Sequence, residues 1–156
     1  MKNKILPLIF IAVTVAGCAP MPQQHKSSLE LQAIQSKEFE TTKKVAFASV
    51  MSVFQDLGYT ISSASFDTGF ISGKSPTTED FVPFVGQRMQ DTKATAFVEK
   101  ISKGKARVRL NFVYEVQTSS GYGMKGDNEI PIEDGKPYQN AFAKIEHAIF
   151  IRKNVD

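Results

Sequence analysis

The chain has 156 residues, 42% of them hydrophobic and 22% charged, with 19 Lys and Arg against 16 Asp and Glu and a single cysteine. That length suits one domain, the near balance of charge argues against a nucleic-acid binder, and one cysteine excludes an intrachain disulfide. Taken from the start, Lys2 and Lys4 precede an apolar stretch over residues 5–15, and the small residues Ala16 and Gly17 stand before Cys18. This is the three-part layout of an export signal. The stretch is far shorter than the roughly 20 residues of a membrane-spanning helix, and Pro7 interrupts it.

Val15-Ala16-Gly17-Cys18 resembles the lipobox of bacterial lipoproteins. The resemblance implies cleavage between Gly17 and Cys18, a diacylglyceryl thioether on the Cys18 sulfur, and acylation of the new N-terminus. Lasting attachment needs at least two lipid chains, because a single chain holds only marginally. Ala19 stands where an aspartate would favour retention in the inner membrane of a Gram-negative cell, so the same resemblance implies the outer membrane, with the domain facing the periplasm. Without residues 1–17 the chain has 139 residues, and the loss of Lys2 and Lys4 leaves 17 basic against 16 acidic side chains. The expected organisation is a removed signal peptide at 1–17, a lipidated Cys18 with a polar tether to residue 31, and one periplasmic domain over 32–156.

Within that domain a short strand is expected over residues 33–40. A helix follows over 41–57, where Thr41 or Thr42 can cap, Phe47, Val50, Phe54 and Leu57 recur at helical spacing, and Gly58 ends the pattern. Residues 59–64 and 70–74 read as strands around the turn Asp67-Thr68-Gly69. A polar connection is expected over 75–93. The clearest hairpin joins residues 95–101 and 106–118 through Ser102-Lys103-Gly104-Lys105, with Val108, Leu110, Phe112, Tyr114 and Val116 alternating onto one face. After a loop over 119–136, a final helix carries Pro137 in its first turn and Tyr138, Phe142, Ile145 and Ile149 as its apolar stripe. Each helix has one stripe to bury, so the expected fold is α+β: an antiparallel sheet of about five strands with two helices on one face, in the order β-α-β-β-β-β-α.

Phe54-Gln55-Asp56-Leu57-Gly58-Tyr59-Thr60-Ile61 followed by Asp67-Thr68-Gly69-Phe70-Ile71 is similar to the helix-to-hairpin segment of the helix-grip domains of BamC, a lipoprotein of the outer-membrane barrel assembly machine. With Pro137-Tyr138 and residues 142–150 it also resembles a broad group of small proteobacterial lipoproteins. These are packing and turn residues, so the resemblance implies a fold and a compartment and carries no catalytic residue across.

Few segments carry chemistry. Gly121-Tyr122-Gly123-Met124-Lys125-Gly126 has dinucleotide-fingerprint spacing, but Asp127-Asn128-Glu129-Ile130-Pro131 follows where a helix must begin. His25 reads as a solvated tether residue, and His147, beside Lys144 on the polar side of the last helix, has no second ligand for a metal or partner for a catalytic triad. No catalytic residue, cofactor or metal site is expected, and the chain is not expected to be an enzyme. Two surfaces stand out. Phe81, Phe84 and Val85 form an apolar island in the polar connection, either exposed for docking or folded over an open end of the core. Lys103, Lys105, Arg107 and Arg109, with Lys100, cluster at one hairpin end and either meet an acidic partner or lipid headgroup, or merely keep the sheet soluble. The expected role is accessory or scaffold in an envelope protein complex, held to the membrane through Cys18. The alternative is a carrier of a lipid or other small apolar ligand, and a small hydrolase ranks third.

Overall fold

A computed structural model describes residues 26–82, 86–119 and 125–154. Its elements run α1 (Ser28–Gln35), β1 (Ser36–Phe39), α2 (Lys43–Asp56), β2 (Thr60–Ser65), β3 (Phe70–Lys74), β4 (Thr78–Val82), β5 (Gly86–Ser102), β6 (Lys105–Ser119), β7 (Lys125–Pro131) and α3 (Gly135–Lys153). All seven strands form one antiparallel sheet in the order β1-β6-β5-β3-β2, with β4 also on β5 and β7 also on β6. The α+β class and the antiparallel sheet match expectation.

The β5–β6 hairpin is the spine. It pairs from Gln87 opposite Ser119 down to Ser102 opposite Lys105, and Gly104 adopts φ +76° in its turn. Alternation sends Ala94, Ala96 and Val98 of β5 and Val108, Leu110 and Phe112 of β6 to one face. There they pack with Phe47, Val50 and Phe54 of α2 and Tyr138, Phe142 and Ile145 of α3 in a single core. α2 is capped by Thr42, whose hydroxyl accepts from the Val45 N–H, and α3 by Asp134, which accepts from the Lys136 N–H. The two helices lie against each other. Arg152 ties the end of α3 to α2 through the Ser52 hydroxyl at 2.6 Å.

The structure corrects the expected elements in four places. Residues 33–35 are the end of α1, whose first turn is closed by a reciprocal cap between Ser27 and Glu30, so β1 starts only at Ser36 and residues 28–31 are helical. The supposed connection 75–93 contains β4 and the first part of β5, and the supposed loop 119–136 contains β7. Among the described residues, seven strands and three helices therefore replace about five and two. The reason is common to all four: α1 has no buried residue and β7 is exposed along almost its whole length, so neither shows an apolar period, and what holds β4 and β7 is backbone pairing to the long hairpin. Leu57, read as part of the stripe of α2, is its half-buried C-cap, while Ala46 and Val53 complete the stripe.

β6 has a gap along its outer edge. β1 covers residues 106–109 and β7 covers 113–119, which leaves the backbone near Phe112 without a strand partner. Ile132 N–H donates to the Phe112 carbonyl at 2.9 Å, and the fully buried Tyr138 hydroxyl accepts from the Phe112 N–H at 3.3 Å while donating to the Ile132 carbonyl at 3.0 Å. A side chain of α3 thus supplies the missing rung of the ladder.

Candidate functional site

Where β5 and β6 run on past the core, a groove of about 240 Å³ opens on the helix side of the sheet. Its walls are Leu57 and Tyr59 after α2, Phe112 and Tyr114 on β6, and Ile132 and Pro137 leading into α3. Thr92 and Asn140 add a hydroxyl and an amide. Tyr59 and Phe112 stack with ring centroids 6.3 Å apart and planes 25° from parallel, continuing a chain of rings from Phe54 to Tyr138. Burial, with Tyr114 as a smaller cause, pushes the Tyr59 hydroxyl above the usual tyrosine range, so it stays a protonated hydrogen-bond donor at neutral pH. The groove is apolar with donors at its rim. Nothing in the sequence pattern marks it, because its residues come from five segments.

Among the described residues, no helix covers the other face of the sheet. Phe70 and Phe97 sit directly opposite each other across β3 and β5, 40% and 43% exposed, with Arg109 next to Phe97 across β6. On either side lie ion pairs. Towards the β5–β6 turn, Arg107 reaches Glu38 at 2.8 Å and Glu99 at 3.1 Å, and Lys105 reaches Glu38 at 2.9 Å. Lys105, then Arg107, holds the Glu38 carboxyl below its ordinary range, and hydrogen bonding to Glu38 raises both cations. The basic cluster read from Lys103, Lys105, Arg107 and Arg109 is therefore interleaved with carboxylates. Those carboxylates come from β1, about 70 residues away in sequence, as well as from β5. Lys103 and Arg109 are exposed at its edges.

Towards the far end, Asp91 and Glu115 face each other in register, an arrangement in which like charges repel. Lys74 spans them, 3.0 Å from Asp91 and 2.6 Å from Glu115, and Lys93 lies 3.4 Å from Glu115 and 3.5 Å from Glu129. Lys74 holds Glu115 below its ordinary range and is itself raised by Glu115 first and Asp91 second. Asp91 is buried, and among the described residues its Oδ1 has no hydrogen-bond partner.

Of the remaining sequence-derived candidates, Gly17 and Cys18 lie outside the described residues, as do Phe84 and Val85. Phe81 falls in β4, paired in register with Gln87, and its side chain is outside the described structure. His147 is exposed on α3. Among the described residues, no three His, Cys, Asp or Glu side chains gather to hold a metal ion, and no helix is long and apolar enough to cross a membrane.

No family model and no curated protein matches the chain. Among solved structures it is similar to a DUF4468 family protein from Bacteroides ovatus, with 11% identity over 73% of this chain and 84% of that one at a TM-score of 0.39. A TBP-like protein from Parabacteroides distasonis matches with 14% identity over 77% of this chain and 85% of that one, at a TM-score of 0.31.

Proposed function

We propose that this chain is an outer-membrane lipoprotein, anchored through Cys18, whose periplasmic domain is a non-catalytic scaffold that binds a protein partner of the cell envelope. The anchor rests on the lipobox resemblance of residues 15–18, and the lineage on the likeness of residues 54–71 to BamC-type helix-grip domains and small proteobacterial lipoproteins. The observation that carries the scaffold reading is the uncovered sheet face. Its centre is the Phe70–Phe97 pair beside the exposed Arg109, and most of the charges around it are paired: Lys105 and Arg107 with Glu38 and Glu99, Lys74 and Lys93 with Asp91, Glu115 and Glu129. An apolar centre ringed by balanced charge suits a protein surface better than a polyanion, which would want uncompensated lysines and arginines.

The test is crosslinking in intact membranes followed by mass spectrometry, with the native chain compared to Phe97→Arg. A neighbour captured by the native chain and lost with Phe97→Arg supports the reading. Recovery of monomer alone across several crosslinkers would remove it. For the anchor, Cys18→Ser should abolish incorporation of labelled palmitate and leave unprocessed precursor, and label persisting in that variant would place the lipid elsewhere. The carrier reading puts a ligand between sheet and helices, a space now occupied by the fully buried side chains of Phe54, Ile71, Leu110 and Ile145. A ligand in the core would have to displace them, and the groove left open at its edge, at about 240 Å³, is smaller than the roughly 300–1,000 Å³ of small-molecule pockets, which is why the scaffold reading is preferred.

A further inference from the structure

We propose that Arg109 is the residue by which the uncovered sheet face selects its partner, and that the partner is a protein segment carrying one carboxylate beside an apolar side chain. This choice of partner rests on the scaffold reading of the same face. Phe70 on β3, Phe97 on β5 and Arg109 on β6 stand opposite one another in register and form a single line across the face, with Ser36 of β1 next to Arg109. Phe70, Phe97 and Arg109 are all exposed. Strand spacing puts the Arg109 backbone about 5 Å from that of Phe97 and about 10 Å from that of Phe70, within the span of two neighbouring side chains of one docked segment.

What names the occupant is the charge left over. One row towards the hairpin turn, Arg107 is paired with Glu99 of β5 and Glu38 of β1. On the other side, beyond the uncharged Ser72, Thr95 and Asn111, Lys74 and Lys93 are held by Asp91 and Glu115. Among the described residues Arg109 has no ion pair and no hydrogen bond. Glu38 is taken up by Lys105 and Arg107, and the residue that faces Arg109 from β1 is an uncharged serine.

A guanidinium takes a carboxylate through two parallel hydrogen bonds, and arginine and aromatic side chains are the residues that anchor interfaces. An apolar side chain laid on Phe70 and Phe97 also excludes water from Arg109, which strengthens a charge pair formed there. A wholly apolar partner would bury the guanidinium with no counter-charge, at a large cost in desolvation. An anionic bilayer or other polyanion is the poorer match. Its spread of negative charge would have to approach Glu38 and Glu99 as well, whose cations are already engaged, and it would find one unanswered positive charge where it needs several.

The test replaces Thr95, half-buried on the same face and one row from Phe97, by a diazirine amino acid in the full chain expressed in its own cell envelope, and identifies the captured neighbour and the crosslinked peptide by mass spectrometry. Arg109→Met and Arg109→Glu should each lower capture of that neighbour about tenfold, the loss expected from deleting an arginine anchor. Arg109→Lys keeps the charge and should lose less than Arg109→Met. Each Asp and Glu of the captured peptide is then replaced by lysine in turn, and one of these replacements should restore capture by Arg109→Glu. Arg109 is exposed and answers no other side chain, so its variants should melt with the native chain, which a thermal scan checks. Capture lost with Phe97→Arg but unchanged by Arg109→Met overturns this proposal and leaves the scaffold reading standing, whereas monomer alone in every variant removes both. Crosslinks confined to lipid overturn it, as does a charge swap that restores nothing.

Discussion

Replacing Tyr138 by phenylalanine removes one oxygen atom and should cost a substantial part of the domain's stability. The hydroxyl is fully buried and stands in for a strand where β6 lacks one, accepting from the Phe112 N–H and donating to the Ile132 carbonyl. Without it both backbone groups lose a partner inside the fold. A buried polar group left unpaired costs about 1–3 kcal/mol. Among the described residues the Phe112 N–H has no strand partner to turn to on that edge, because β1 pairs no further than Arg109 and β7 no further than Val113, so it should carry the larger share. Ile132 is 9% exposed and water can relieve part of its cost, which brings the expected loss to about 2–4 kcal/mol. Against a total of about 5–15 kcal/mol for a domain of this kind, that is a large shift in urea midpoint. The measurement is urea unfolding of Tyr138→Phe with the slope unchanged, together with amide exchange at Phe112, which should accelerate. Tyr59→Phe is the control, since that hydroxyl lies at the half-buried rim and should change stability by less than about 0.5 kcal/mol. A loss below about 0.5 kcal/mol in Tyr138→Phe with exchange at Phe112 unaltered would show that α3 does not complete the ladder.

Gly69 should tolerate no side chain. It adopts φ +79°, its carbonyl accepts from the Val98 N–H at 2.8 Å, and a Cβ there would lie 2.0 Å from the Val98 carbonyl oxygen. Gly69→Ala is expected to destabilise by at least about 3 kcal/mol through left-handed strain plus a broken turn-to-sheet contact, and a thermal midpoint near that of the native chain would refute this. Phe54→Ala should cost about 3–5 kcal/mol and Leu57→Ala clearly less, as the first side chain is fully buried and the second is a half-buried cap; equal losses in chemical unfolding would mean the helix face is assigned wrongly. The Lys74 bridge makes a statement about pH. The lowered Glu115 carboxyl contributes stability that is present at neutral pH and is lost as pH falls below about 4.3 and on through the depressed native value. The raised Lys74 contributes below its ordinary value near pH 10.4 and loses that contribution only above it. Lys74→Met leaves Asp91 and Glu115 repelling each other, so its melting temperature should be depressed at pH 7 and recover as pH falls towards 4; a profile parallel to the native one would show that the bridge contributes nothing.

The signals legible in the sequence were the local and periodic ones. The stripe of α2 and the turn glycines Gly58, Gly69 and Gly104 could be read from spacing alone, as could the alternation of Val108, Leu110 and Phe112 and the Tyr138–Ile149 stripe of α3, because each element buries one face and advertises it with apolar residues at its own period. The Ser27-to-Glu30 cap was present too, but α1 is short and buries nothing, so no stripe drew attention to it. β4 and β7 carried no such signal. They exist because the long β5–β6 hairpin leaves unpaired backbone at its edges, and backbone pairing is indifferent to side-chain pattern.

The same division governs the candidate sites. The attachment point we propose at Cys18 is read from the identities of residues 15–18 in a row, and no folding is needed to read it. The charge balance of the Lys105–Arg107 cluster depends on β1 bringing Glu38 to Arg107 across the sheet, and the groove depends on Tyr59, Phe112, Tyr114 and Ile132 converging from separate segments. Contacts between residues distant in sequence leave no period in the chain, so the tertiary structure alone decides which charges are answered, which rings are exposed and where the first described residues are fastened.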